Sequence, residues 1–289
     1  MDMFELATGL LPPELRILCQ KYRDCSVEEI RLRLGRYPTV LFNGHETAFS
    51  CEILDKAALN TVLERATGAS VHAHMDELAN GYLNYKGLRI GFGASAVNKD
   101  YGRLFFKDFS SLNIRIPSVF YGDISNIFCA LSNEEVAGIL IVSPPGGGKT
   151  TLLRELIRRI SDGGTRISVV DERNEIAAAT QGEFSFDIGK HTDVICGMGK
   201  KDAAMLLLRG MNPQMIALDE ISRREDMDAV YDIAGCGVKI IASIHGSSLT
   251  ELRKRAMYRE LLNEHIFTDF IFIRNTEEGR KYSHMRLNV

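Results

Sequence analysis

Tryptophan is absent from the 289 residues, and no apolar run approaches the roughly 18 residues that a membrane-crossing helix needs. The second absence argues against a helical membrane protein. The first removes the strongest stacking side chain for single-stranded nucleic acid, and the Phe and Tyr residues lie mostly within apolar runs. Charge of either sign is scarce in net terms: −3 overall gives no global basic footprint, so any nucleic-acid contact would have to be local. The six cysteines (Cys19, Cys25, Cys51, Cys129, Cys196, Cys236) form no C-x-x-C pair and have no histidine at zinc spacing, which reads as free thiols in a reducing compartment. Met1-Asp2-Met3-Phe4-Glu5 opens acidic and lacks a secretory signal pattern. The expectation is a cytoplasmic chain that meets a membrane only through a protein partner. No internal repeat or low-complexity tract is visible.

One local pattern stands out from this ordinary background. Ser143-Pro144-Pro145-Gly146-Gly147-Gly148-Lys149-Thr150-Thr151 follows the apolar stretch 137–142 and precedes the helical pattern that begins at Leu152. Strand, glycine-rich loop and helix in that order make a phosphate-cradling loop. Glycines let backbone N–H groups turn inward around a phosphate, and the first helical turn adds its dipole. Lys149 is placed to reach the β- and γ-phosphates of ATP, and Thr150 to ligate Mg²⁺. The usual first glycine of the pattern is Ser143 here; the competing reading is a glycine-rich turn with a chance lysine.

Downstream, three apolar strands end in polar residues. Ile167 to Val170 leads into Asp171-Glu172-Arg173-Asn174-Glu175. Met215-Ile216-Ala217-Leu218 leads into Asp219-Glu220, the pattern of a Walker B element. Adjacent strand residues point to opposite faces, so Asp219 is expected to hold the Mg²⁺ hydration shell while Glu220 deprotonates water. Val238 to Ile244 leads into His245, expected to sense the γ-phosphate; a structural histidine is the alternative.

From Ile139 onward, strands at 139–142, 167–170, 215–218, 239–244 and 270–273 alternate with helices at 149–160, 201–211 and 224–234, which predicts a parallel sheet covered on both faces. The first half predicts a helix over 12–23, strands at 27–33 and 38–42, helices near 53–66 and 70–79, and antiparallel strands at 81–85, 88–97 and 112–116. The expected architecture is an α+β domain over 1–120 followed by an α/β domain over 121–289. Asp123 is the expected cap of the helix before the phosphate loop. His72-Ala73-His74 is no metal site, because residues two apart on a helix do not share a face. Arg253-Lys254-Arg255, with Arg259, reads as a solvated helix face interrupted by Glu251 and Glu260.

The order of motifs excludes some P-loop classes. No N-K-x-D element follows the loop, since Asn98-Lys99-Asp100 precedes it, and no L-S-G-G-Q helix lies in 151–214. The loop, the acidic box 171–175, Asn212 to Glu220, and Ile241 to Gly246 together resemble the secretion ATPases of type II and type IV systems. Within that superfamily the chain most resembles the stage III sporulation protein AA family, on 28–36, 87–93 and 111–116 as well. The resemblance implies that the domain over 1–120 serves oligomerisation or partner docking and that the domain over 121–289 is a RecA-like ATPase domain. The whole is then an ATPase that uses ATP and Mg²⁺, forms a hexameric ring, and powers a transenvelope channel with membrane-embedded partners during endospore formation. It differs from the superfamily's usual pattern in having Asp219 before the Walker B glutamate and Asp171-Glu172-Arg173 in the acidic box. Glu220 is therefore the expected base, with Glu172 in reserve. The resemblance also implies arginines reaching across from a neighbour's N-terminal domain, with Arg89, Arg103 and Arg115 as candidates; Arg209, Arg223 and Arg224 lie near Walker B. Two other readings stay open: an ATPase acting on single-stranded nucleic acid, and a slow ATP-driven assembly switch.

Overall fold

A computed structural model describes every residue except 1, 43, 71–73, 75–77, 80, 100–102, 118–123, 133–136, 181, 277–278 and 288–289. The chain divides into two compact units, Met1–Ser118 with Ala178–Ser185, and Val119–Ala177 with Phe186–Val289. The segment 178–185 thus groups with the first unit, although the sequence reading leaves it in the second half.

In the first unit α1 (Met3–Gly9) starts where the Asp2 carboxylate accepts from the N–H groups of Phe4 and Glu5. The apolar pattern over 12–23 becomes α2 (Pro13–Cys19), which tightens into a 3₁₀ turn at Gln20–Tyr22 instead of continuing as one helix. Strands β1 (Val27–Arg33), β2 (Thr39–Phe42) and β3 (His45–Ala48) precede α3 (Lys56–Thr67). α3 runs between an Asp55 cap and left-handed Gly68 and buries Leu59, Val62, Leu63 and Ala66, the i, i+3, i+4, i+7 stripe of a one-sided helix. Then follow β4 (Tyr82–Tyr85), β5 (Leu88–Lys99) and β6 (Arg103–Arg115). The sheet order is β3-β2-β1-β6-β5-β4, with every neighbouring pair antiparallel. β3 has no apolar alternation, because an edge strand with polar residues on both faces needs none; β6 starts nine residues before the expected 112, carried by pairing with β5 beyond a bulge at Gly93/Ser95. Most of 70–79, and Asp123, lie outside the described residues.

The second unit opens with α4 (Ser125–Ser132), β7 (Gly138–Ser143), α5 (Lys149–Asp162) and β8 (Ile167–Asp171), and after the antiparallel pair β9 (Ala179–Thr180) and β10 (Glu183–Phe184), which belongs to the first unit, the chain returns to it. It continues with β11 (Thr192–Cys196), α6 (Lys200–Met211), β12 (Met215–Glu220), α7 (Arg224–Gly235), β13 (Lys239–His245), α8 (Leu249–Lys254), α9 (Ala256–Asn263), β14 (Asp269–Thr276) and β15 (Gly279–Arg286). The sheet order is β11-β8-β12-β13-β7-β14-β15, parallel throughout except for the β14–β15 pair. Period-2 alternation sorts the strands onto two cores. Ile139, Ile141, Val169, Ala217 and Ile271 pack with Leu152, Leu153, Leu156 and Ile157 of α5, while Leu140, Val142, Leu218, Ala242 and Phe270 pack with α6, α7 and α9 on the other face. The basic run at 253–259 is split, because α8 ends at Lys254 and Arg255 takes an extended conformation before α9.

Candidate active site

All six residues of β7 are buried, and the strand delivers the chain to the phosphate loop at its carboxyl end. Gly146 and Gly148 hold φ of 71° and 93°, conformations that side chains disfavour. A methyl group on Gly147 would fall 1.8 Å from the Ser143 hydroxyl. Ser143 therefore fills the space beneath the loop in place of the usual glycine, and its hydroxyl donates to the Pro144 carbonyl at 3.1 Å. Gly148 caps α5, so Lys149 is the first helical residue.

The strand order decides which polar tips meet. β13 lies between the phosphate-loop strand β7 and the acidic strand β12, with His245 directly opposite Ser143. Lys149 Nζ lies 2.7 Å from His245 Nδ1, and His245 Nε2 lies 2.9 Å from Glu220 Oε1. An ammonium only donates, so Nδ1 accepts, and the ring proton on Nε2 is donated to Glu220. Lys149, His245 and Glu220 thus form one hydrogen-bonded chain. Burial lowers the Lys149 pKa, against the opposing pull of Glu220 and Asp219.

Asp219 and Glu220 do not simply alternate. Leu218 pairs with Ala242 but Glu220 pairs with the next residue, Ser243, so Asp219 is the extra residue of a bulge. That kink corrects the expectation of two strictly opposed faces, and Glu220 ends within reach of His245. Asp219 is 5% exposed, and burial, then the like charges of Glu175 and Asp171, push its pKa up to about 7; Lys200 and Arg173 pull the other way.

The acidic box divides differently from its sequence reading. Asp171 is fully buried and accepts from the N–H groups of Glu175, Ile176 and Ala177 at 2.8, 3.0 and 2.9 Å, which folds the loop after β8 back on itself. Arg154 of α5 donates to the carbonyls of Ile176 and Glu175 at 2.8 and 2.9 Å and stacks on Phe186, with burial lowering its pKa to about 10. Glu172 pairs with Lys200 Nζ at 2.5 Å, and Lys200 also lies 3.3 Å from Asp226 at the start of α7. The structure therefore brings Glu220, not Glu172, into contact with the Lys149–His245 pair. Asp171 was read in the sequence only as one carboxylate of the acidic box; Arg154 and Lys200 were missed, because a lysine at a helix start and an arginine within an amphipathic helix carry no motif.

Thr150 and Asp219 offer one hydroxyl and one carboxylate, an oxygen donor set of the kind Mg²⁺ takes when phosphates supply the rest of its shell. Among the described residues no cluster of three His, Cys, Asp or Glu is placed to hold a metal ion. Of the arginines, Arg89 stacks on Tyr82 at 3.8 Å and Arg115 lies 3.6 Å from Glu29; the Arg103 side chain lies outside the description. Arg223 is 4.0 Å from Glu172, Arg224 pairs with Glu260 at 3.2 Å, and Arg209 is exposed.

Comparison with known proteins gives the fold and the family. The fold is RecA-like: the chain superposes on the ATPase DotB of Legionella pneumophila with a TM-score of 0.62, at 15% identity over 95% of this chain and 80% of that one. It superposes on the pilus retraction motor PilT, solved with bound ADP, with a TM-score of 0.62 at 16% identity, covering 93% and 82%. In sequence it is 32% identical over 251 residues to the stage III sporulation protein AA of Bacillus subtilis (strain 168), spanning 85% of this chain and 81% of that relative. The family model described as sporulation stage III, protein AA, matches residues 7–284, so this chain belongs to that family.

Proposed function

We propose that this chain hydrolyses ATP with Mg²⁺ at the loop 143–151 and turns that hydrolysis into work for a secretion-like apparatus of endospore formation. The observation that carries the reading is the contact chain from Lys149 through His245 to Glu220 at the mouth of a phosphate loop. Lys149 is held by His245 until a triphosphate offers a stronger anionic acceptor. As the ammonium turns to the β- and γ-phosphates, His245 loses its Nδ1 donor while keeping Glu220 oriented through Nε2–H. Glu220 then accepts the proton of the attacking water. Thr150 and Asp219 would hold Mg²⁺, which neutralises charge developing on the phosphates.

The same proposal takes the ring to be hexameric, with Arg89, Arg103 or Arg115 of a neighbour completing the site as charge develops on the γ-phosphate. A membrane-embedded channel would be its partner, and nucleic acid would not. The name of the Bacillus subtilis relative supports the sporulation role, and the pilus motor shares the fold.

The test is ATP hydrolysis by the purified chain, together with its mass in solution with ATP and Mg²⁺, with and without a single-stranded oligonucleotide. Glu220→Gln is expected to bind ATP but lose about 10²- to 10⁴-fold in turnover, as removal of a general base does, while Lys149→Ala loses binding. Strong stimulation by the oligonucleotide would replace the export reading with a nucleic-acid translocase.

A further inference from the structure

The edge hairpin of β14 and β15 takes no part in the chemistry above, yet it reaches the phosphate loop. β14 pairs with β7 as far as Phe272 opposite Val142, then continues through Ile273 to Thr276. At about 3.3 Å per residue this carries it some 13 Å past the last paired residue. β15 returns antiparallel, with Asn275 opposite Arg280 and Ile273 opposite Tyr282, and the Thr276 hydroxyl donates to the Gly279 carbonyl at 2.8 Å.

Arg280 and Tyr282 are two apart and share a face. Tyr282 packs on the core that contains Leu152, Leu153, Leu156 and Ile157, so that face is the one carrying the phosphate-loop helix. Arg280 extends over the loop itself. A methyl group on Gly148 would lie 2.7 Å from its Nη1, 2.8 Å from Cζ and 3.1 Å from Nε. The guanidinium therefore rests against the last loop residue before Lys149, with Tyr282 on the same face of its strand. Gly148 is constrained twice, by its positive φ and by this cation.

We propose that Arg280 binds the phosphates of the nucleotide from within the same chain, an inference that rests on the nucleotide-binding reading above. A guanidinium is always charged and presents five donors in a planar fork suited to phosphate oxygens. Here it lies against Gly148, the residue that caps the helix starting at Lys149. This cation is intrinsic to the subunit, unlike the arginines expected across a ring interface, so it acts on binding before any neighbour closes.

The experiment is equilibrium binding of a fluorescent ADP analogue to the full chain, with inorganic pyrophosphate as competitor, for the natural protein, Arg280→Ala and Arg280→Lys. Alanine is expected to weaken both ligands about tenfold or more, the loss of one charge-assisted contact, and lysine to recover part of it. Should the alanine variant not fold, Arg280→Gln, which keeps a donor but not the charge, carries the comparison. A natural chain that binds neither ligand overturns the nucleotide reading and this inference with it. Natural binding that Arg280→Ala leaves unchanged overturns this inference alone. Weakened ADP with unaffected pyrophosphate moves the contact to base or ribose and overturns the phosphate assignment.

Discussion

Asp219 shows how one side chain ties stability to pH. Its carboxyl rises from an ordinary 3.8 to about 7, first through burial and then through Glu175 and Asp171. The folded chain thus holds this proton more tightly than the unfolded chain does. The resulting stabilisation is complete below about pH 4 and is lost as pH rises through about 7, a change of up to roughly 4 kcal/mol. Asp219→Asn removes that dependence while keeping the shape. Urea unfolding in the absence of nucleotide and Mg²⁺ should show the variant gaining on the natural chain from about pH 5 to about pH 8. A gap that stays flat would mean that the carboxylate ionises without penalty. The same physics suits a metal site, since a divalent cation would supply the charge that the buried carboxylate lacks.

Among the elements, the loop after β8 depends on Asp171. Its carboxylate satisfies three backbone N–H groups at 2.8 to 3.0 Å in a position with no exposure to water. Asp171→Ala would orphan all three, and each buried donor left unmade costs about 1–3 kcal/mol, so a loss of about 3 kcal/mol or more is expected in denaturant unfolding. A loss under about 1 kcal/mol would mean that the loop finds other partners. Most elements of the second unit were legible in the sequence because their apolar runs bury both faces: Gly138–Ser143, Ile167–Asp171, Met215–Glu220 and Lys239–His245 lie on or within a residue or two of their expected spans. Thr192–Cys196 and Gly279–Arg286 were not legible, since they are edge strands whose residues are half-buried or exposed, and their existence depends on pairing rather than on their own alternation.

For the molecule as a whole, none of the six cysteines is in a disulfide. Cys19 has no exposure, and burial pushes its thiol up to about 12; Cys51 is also raised, first by burial. Cys129 and Cys236 are exposed. At neutral pH a maleimide should modify Cys129 and Cys236 first and reach Cys19 only on unfolding, which peptide mass mapping would read directly. Early modification of Cys19 would mean that the first unit opens far more readily than its packing suggests.

By itself the sequence determined the glycine-rich loop at 143–151, the order of polar strand tips and the alternation of strand and helix, because each of these elements rests on neighbours within a few residues. Only the tertiary structure decided that β13 lies between β7 and β12 and so joins His245 to both Lys149 and Glu220. It likewise decided the bulge at Asp219, the capture of Glu172 by Lys200, and the reach of Arg280 to Gly148. These contacts span 28 residues for Lys200 and Glu172 and 96 for Lys149 and His245. Strand order and register set them, and no local preference of either partner encodes the other's position.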